Sequence, residues 1–112
     1  MRIDKLTTKF QQALSDAQSL ALAEDNPTIE PVHLLAAMLD DNDSGIGALL
    51  ARAGVNVGGL KTALKDTMRR LPKVSGTGGE VTVGRDLGNL LNLTDKAAIK
   101  RGDQFIASEL FL

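Results

Sequence analysis

Thr8-Lys-Phe10-Gln-Gln-Ala13-Leu14-Ser-Asp-Ala17-Gln-Ser-Leu-Ala21-Leu-Ala-Glu24 is the stretch on which the fold of this chain turns. Phe10, Ala13, Leu14, Ala17 and Ala21 recur at intervals of three and four, which places them on one face of an α-helix. Glu24 keeps the spacing but not the apolar character. The stripe is mostly Ala, so another helix can approach closely. Thr7 stands where an N-cap is needed, because its hydroxyl can accept an orphan backbone N–H. Asp25-Asn26-Pro27 closes the helix: Asn26 tolerates the left-handed conformation, and Pro27 cannot continue it.

Outward from this helix, Glu30-Pro31 opens a second one, with Pro at a first-turn position whose N–H is not missed. Leu34, Leu35 and Met38 are its inward set, and Asp40-Asp41-Asn42-Asp43 reads as a solvated turn. Ser44 is expected to cap a short third helix that runs to about Arg52 and closes at Gly54. Asn56 caps a fourth over about 57–71, with Leu60, Leu64 and Met68 inward and Pro72 as its stop. Residues 73–84 are polar and Gly-rich and read as a mobile connection in preference to a hairpin. A fifth helix spans about 85–101, with Leu87, Leu90, Leu91 and Ala98 on one face. Leu93 lies off that face, about 240° round from Leu87 at ~100° per residue. Gly102 ends this helix, and Ile106 to Leu112 begins a sixth.

The chain also repeats itself. Adding 76 carries Leu14 onto Leu90, Ala21 onto Ala97, Ile29 onto Phe105 and Leu34 onto Leu110. Positions 37–71 of the first copy have no counterpart, because Leu112 falls inside an apolar run. A repeat that cannot cover its own apolar face needs a neighbour. The expected architecture is therefore all-α: repeat one over about 1–72, a linker loop at 73–84, and an incomplete repeat two at 85–112, cut from something larger.

Composition narrows the function. At 112 residues the chain holds one modest core. Thirteen Lys and Arg against fourteen Asp and Glu give a net charge of −1, not the basic balance of a nucleic-acid binder. Aromatics amount to three Phe, which leaves no stacking platform. The absence of Cys rules out disulfides, zinc-thiolate sites and thiol nucleophiles. Neither a signal-peptide core nor a run of ~20 apolar residues is visible, so a soluble cytoplasmic chain is expected, with no membrane and no nucleic-acid partner. Gly76-Thr77-Gly78-Gly79 lacks the Lys-Ser/Thr of a phosphate loop. Asp40, Asp41 and Asp43 lack the Gly and Glu of a calcium loop. His33 is the sole histidine, so metal binding and a hydrolytic triad both lack partners, and a structural role is expected for it. No catalytic residue and no metal site is assigned. What survives is an off-face apolar set, Leu93, Ala97 and Leu110, beside the polar Thr7, Asp103 and Glu109. Apolar residues rimmed by polar ones mark interaction sites.

Four blocks, Lys9-Phe-Gln-Gln-Ala-Leu-Ser-Asp-Ala-Gln-Ser-Leu-Ala-Leu, Asp25-Asn-Pro-Thr-Ile-Glu-Pro-Val-His-Leu-Leu, Arg70-Leu-Pro-Lys-Val-Ser-Gly-Thr-Gly-Gly and Lys100-Arg-Gly-Asp-Gln-Phe-Ile-Ala-Ser-Glu-Leu-Phe, closely resemble the amino-terminal domain of ClpB-type AAA+ disaggregases. The resemblance runs from Met1 to Leu112. It implies a double Clp-N repeat with pseudo-twofold symmetry, here with its second repeat truncated. It implies a non-catalytic accessory domain, itself without cofactor, tethered to ATP- and magnesium-using rings in a homohexamer that works with a co-chaperone system; the domain alone is expected to be a monomer. Its partners would be unfolded or aggregated protein clients. Positions matching Thr7, Leu93, Ala97, Asp103, Glu109 and Leu110 would form the client groove and its rim. The alternative is an adaptor-docking domain of a proteolytic Clp unfoldase. Gly84 stands where relatives carry a capping Ser, a change expected to cost a few tenths of a kcal/mol. A groove burying ~300 Å² of apolar area on each partner would supply roughly 15 kcal/mol gross. Ordering costs consume most of this, leaving a weak Kd of ~10–100 μM.

Overall fold

A computed structural model describes residues 6–40, 45–73, 81–101 and 111. It contains α1 (Thr8–Ala23), β1 (Thr28–Ile29), α2 (Pro31–Asp40), α3 (Ile46–Arg52), α4 (Val57–Arg70), β2 (Thr82–Val83) and α5 (Arg85–Arg101). The class is all-α, as expected, with one minimal parallel strand pair added. Outside the described residues lie the Asp41–Asp43 part of the turn, the Ser44 cap, the Gly102 stop and the start of a sixth helix.

Local chemistry accounts for the helix ends. Thr7 Oγ1 accepts from Phe10 N–H at 3.2 Å, and Asn56 Oδ1 accepts from Gly59 N–H at 3.1 Å. Both expected caps are formed. The end of α1 departs from the sequence reading. The left-handed residue is Asp25, with φ 55°, not Asn26. Asn26 N–H donates to Ala21 O at 2.9 Å and Asp25 N–H to Leu22 O at 3.1 Å, the paired bonds of a Schellman end. Asn26 is thereby released for a buried task. The end of α3 repeats the motif with Gly54 at φ 90°, as Val55 N–H reaches Leu50 O and Gly54 N–H reaches Ala51 O. Its start differs from expectation: Gly45, at φ 76°, holds the N-cap position and offers no side-chain bond.

The core gathers on α2, which touches α1, α3, α4 and α5. His33, Leu34, Ala36, Ala37, Met38 and Leu39 are all buried, so the helix is covered on nearly every side. The Ala stripe of α1 lies against it, with Phe10, Ala13, Ala17 and Ala21 buried. Phe111 meets Phe10 edge to face, ring centres 6.1 Å apart.

His33 fastens three segments together. Its Nδ1 accepts from Glu30 N–H at 2.8 Å, which leaves Nε2 carrying the proton it donates to Asn26 Oδ1 at 2.9 Å. Asn26 Nδ2 in turn donates to Pro72 O at 3.1 Å, 46 residues away. A protonated Nδ1 would face the Glu30 N–H, donor against donor. Burial lowers the His33 pKa below its ordinary 6.5, and the weaker pull of the nearby Glu30 and Glu24 carboxylates does not reverse this.

The connection before α5 is not a loop throughout. Val81 is buried, and Thr82–Val83 pairs in parallel with Thr28–Ile29, Thr28 opposite Thr82. Gly84 N–H extends the pairing to Ile29 O at 2.9 Å. Neither a mobile stretch nor a hairpin describes residues 81–84. Local composition hides this because the partner strand lies more than fifty residues upstream. The Gly84 expectation also changes. A Cβ there would collide with Glu30 Oε1 and approach Ile29 O to 3.1 Å. The Glu30 carboxylate, itself held by Thr28 Oγ1 at 2.6 Å, therefore sits beside the start of α5, where negative charge is favoured.

Burial also revises the internal register. Arg85 follows Thr8 by 77 residues, and this shift pairs Phe10 with Leu87, Leu14 with Leu91, Ala17 with Thr94 and Ala21 with Ala98. Three of the four pairs are buried at both positions, and in the fourth Leu91 is buried and Leu14 half-buried. The register of 76 instead matched Leu14 to Leu90, which is 39% exposed. Thr94 takes the inward place expected of Leu90, its hydroxyl satisfied by Leu90 O at 2.8 Å.

His33→Ala should cost about 3 kcal/mol, since it opens a cavity in the core and leaves the buried Asn26 Oδ1 and the part-buried Glu30 N–H without their imidazole partner. The unfolded chain takes up a proton at His33 near pH 6.5, whereas the folded state resists it to lower pH. The stabilisation by His33 is thus complete above about pH 6.5 and is lost as the pH falls. Urea titrations should show the gap between wild type and His33→Ala narrowing from pH 7.5 to pH 5; a constant gap would refute the neutral lock. Gly84→Ala should cost about 1–2 kcal/mol through overpacking. The cost should shrink in a Glu30→Ala background, as a double-mutant cycle of thermal melts would read. Full additivity would show that the two side chains do not meet.

Candidate functional site

Helix α5 has one buried face and two open flanks. Leu87, Leu91, Thr94 and Ala98 face the core. At ~100° per residue, Gly88 and Asn92 lie roughly 100–140° to one side of Leu87, and Leu90, Leu93 and Ala97 roughly 60–120° to the other.

On the first flank a cleft of about 550 Å³ opens between α1, α5 and the strand pair. Its apolar surface comes from Leu6, Leu14, Ile29, Val83 and Leu91. Gly88 supplies depth: a Cβ there would meet only Val83 Cγ1, at 3.9 Å. The polar residues around the cleft are Gln11, Ser15, Gln18 and Asn92, every one uncharged. Amides and hydroxyls beside an apolar floor can satisfy a peptide backbone while its side chains enter the cleft. Sequence reading did not find this cleft. Its signal was the lone Gly88 within an otherwise regular helix, which periodicity alone does not interpret.

The second flank carries the stripe anticipated from sequence. Leu93 is 60% exposed, Ala97 is half-buried one turn on, and Leu90 lines a further apolar cleft of about 420 Å³ with Pro31, Val32, Leu35, Leu64 and Phe111. Leu93 and Ala97 therefore share one accessible face. Thr7 is half-buried at the start of α1, its hydroxyl engaged as the cap, and its neighbour Leu6 lines the cleft on the opposite flank. Asp103, Glu109 and Leu110 lie outside the described residues.

His33 is buried with both ring nitrogens bonded, so it presents no free base. Among the described residues there is no grouping of His, Cys, Asp and Glu suited to a metal ion, and no helix long and apolar enough to cross a membrane.

Comparison with known proteins places the chain in a family. The profile of the Clp repeat (R) N-terminal domain matches residues 5–112. Chaperone protein ClpB of Vibrio cholerae serotype O1 is 54% identical over all 112 residues, and that of Pseudomonas putida is 49% identical over the same length. The chain spans 13% of the length of each of these relatives. Among solved structures, the Hsp104 N-terminal domain from Candida albicans superposes with a TM-score of 0.85 at 20% identity, covering 96% of this chain and 70% of that one. The N-domain of ClpV from Vibrio cholerae superposes at 0.83 with 24% identity, covering 97% of this chain and 64% of that one. With its capped helices, its buried Ala stripe and a family match over nearly every residue, this chain belongs to the Clp N-terminal repeat domain family.

Proposed function

We propose that this chain is the client-binding module of an ATP-dependent disaggregase of the ClpB type, and that α5 is the element that meets the client. The observation that carries this reading is the first cleft, an apolar floor bordered by amides and a hydroxyl with no charged residue in its lining. Such a surface suits unfolded chains as a class. Its floor takes side chains that folded proteins bury, and its rim pairs with backbone groups that every polypeptide has. Leu93 and Ala97 extend the contact on the other flank, with Thr7, Asp103, Glu109 and Leu110 completing the proposed groove and rim. The domain performs no chemistry of its own; ATP and magnesium belong to the rings of the parent hexamer, in the cytoplasm. Apolar contact of this size gives weak binding, which suits a site that passes its client onward.

One observation favours a second reading, adaptor docking. A solved complex of a ClpV N-domain with a VipB peptide superposes on this chain at a TM-score of 0.84 with 24% identity. On that reading the ligand is a defined peptide, and scrambling its sequence abolishes binding. On the client reading, scrambling at constant composition changes affinity less than threefold.

Leu93→Gln should weaken binding of a fluorescent unfolded polypeptide by about tenfold in anisotropy titrations. The melting temperature should hardly change, because substitution at an exposed site moves stability by no more than about 0.5 kcal/mol. Gly88→Leu should fill the first cleft and weaken binding as strongly. Unchanged affinity in both variants would overturn α5 as the client element, and an effect in one alone would locate the client on that flank.

A further inference from the structure

Charge is segregated along this chain. Between Lys61 and Lys73 stand five cations against one anion, Asp66, a local charge of +4 in a chain of net charge −1, so the remaining residues carry −5. Part of this cluster has a structural explanation. Lys73 Nζ bonds both Glu24 Oε2, at 3.2 Å, and Met68 O, at 3.1 Å. Arg69 and Arg70 lie in the last turn of α4, where cations complement the helix dipole. Lys61 and Lys65 lie in earlier turns, outside its reach. With Arg69 they recur every fourth residue, so three like charges stack along one side of the helix over about 12 Å, an arrangement that weakens an isolated helix. None of the three has an ion-pair partner among the described residues.

These cations form one wall of a cleft of about 200 Å³. Leu20, Ala36, Leu64 and Met68 supply its apolar surface, and Glu24, at the C-cap of α1, and Asp40, at the end of α2, also line it. We infer that this face docks an acidic amphipathic helix of a partner protein. Its apolar side chains would lie on the floor, and carboxylates spaced four residues apart would meet Lys61, Lys65 and Arg69. The apolar floor of Leu20, Ala36, Leu64 and Met68 matches the apolar face of a helix and gives nothing to a sugar–phosphate backbone, and the cleft has no aromatic side chain on which a base could stack. A protein helix is therefore favoured over nucleic acid. The inference rests on α4 and is independent of the client reading for α5.

The test is fluorescence anisotropy of the 112-residue protein with a labelled 18-residue amphipathic helical peptide. The peptide carries Leu along one face and Glu at three successive turns on its flank. The Glu peptide should bind at least tenfold tighter than its Glu→Gln and Glu→Lys counterparts. Raising salt from 50 to 500 mM should abolish most of that advantage. The triple variant Lys61→Gln, Lys65→Gln, Arg69→Gln should lose about tenfold in affinity with an unchanged circular-dichroism spectrum, whereas Leu93→Gln should bind as wild type does. Equal binding of the Glu and Gln peptides, no binding of either, or tighter binding of a single-stranded oligonucleotide would overturn the inference. The peptide comparison on wild-type protein decides the question even if the triple variant fails to fold.

Discussion

A neutral imidazole at the centre of the bundle is the constraint on which the other contacts rest. His33 accepts from Glu30 N–H through Nδ1 and donates to Asn26 through Nε2, and Asn26 carries the chain of bonds to the carbonyl of Pro72. The end of α1, the start of α2 and the exit of α4 are thereby tied at one buried point. Each polar atom in the path has its partner, so the network imposes no desolvation penalty for an unpaired group. The Schellman turn at Asp25 is what frees Asn26 for this role. A helix terminus and a core network are thus one arrangement.

Once the α1–α2 connection is held, it becomes a template. Thr28 and Ile29 present an edge to which Thr82 and Val83 pair, and that pairing aims α5. Glu30 and Gly84 then fit together so closely that a side chain at 84 would displace the carboxylate. With its direction set by the strand pairing, the Gly84 N–H bond to Ile29 O and one packed face, α5 leaves both flanks accessible. Accessible apolar surface is normally a liability. Here it lies beside uncharged amides on one side and along Leu90, Leu93 and Ala97 on the other, the surface on which the proposed client contact rests.

The surface of α4 adds a different kind of recognition. The proposed apolar contact at α5 would be insensitive to salt and to partner charge, whereas the Lys61–Lys65–Arg69 wall would select for acidic partners and respond to ionic strength. Two faces with opposite selectivity on one small bundle would let clients and partner proteins bind without competing for the same side chains.

The sequence by itself determined the helices and their ends. The spacing of Phe10, Ala13, Ala17 and Ala21, the caps at Thr7 and Asn56, the Pro31 start and the Gly54 turn all depend on residues within one or two turns of each other, and local order is sufficient to read them. It also marked Leu93 as an apolar residue off the buried face. Only the tertiary structure decided that Asn26 is a core residue instead of a left-handed stop, that Thr94 and not Leu90 faces inward, and that the buried positions of α1 and α5 match at a spacing of 77. The parallel strand pair and the cleft over Gly88 belong to the same class. Each depends on partners roughly fifty or more residues apart, Asn26 with Pro72 or Thr28 with Thr82. Periodicity reports which residues share a face of one element, but the identity of the surface opposite is set only when distant segments close on it.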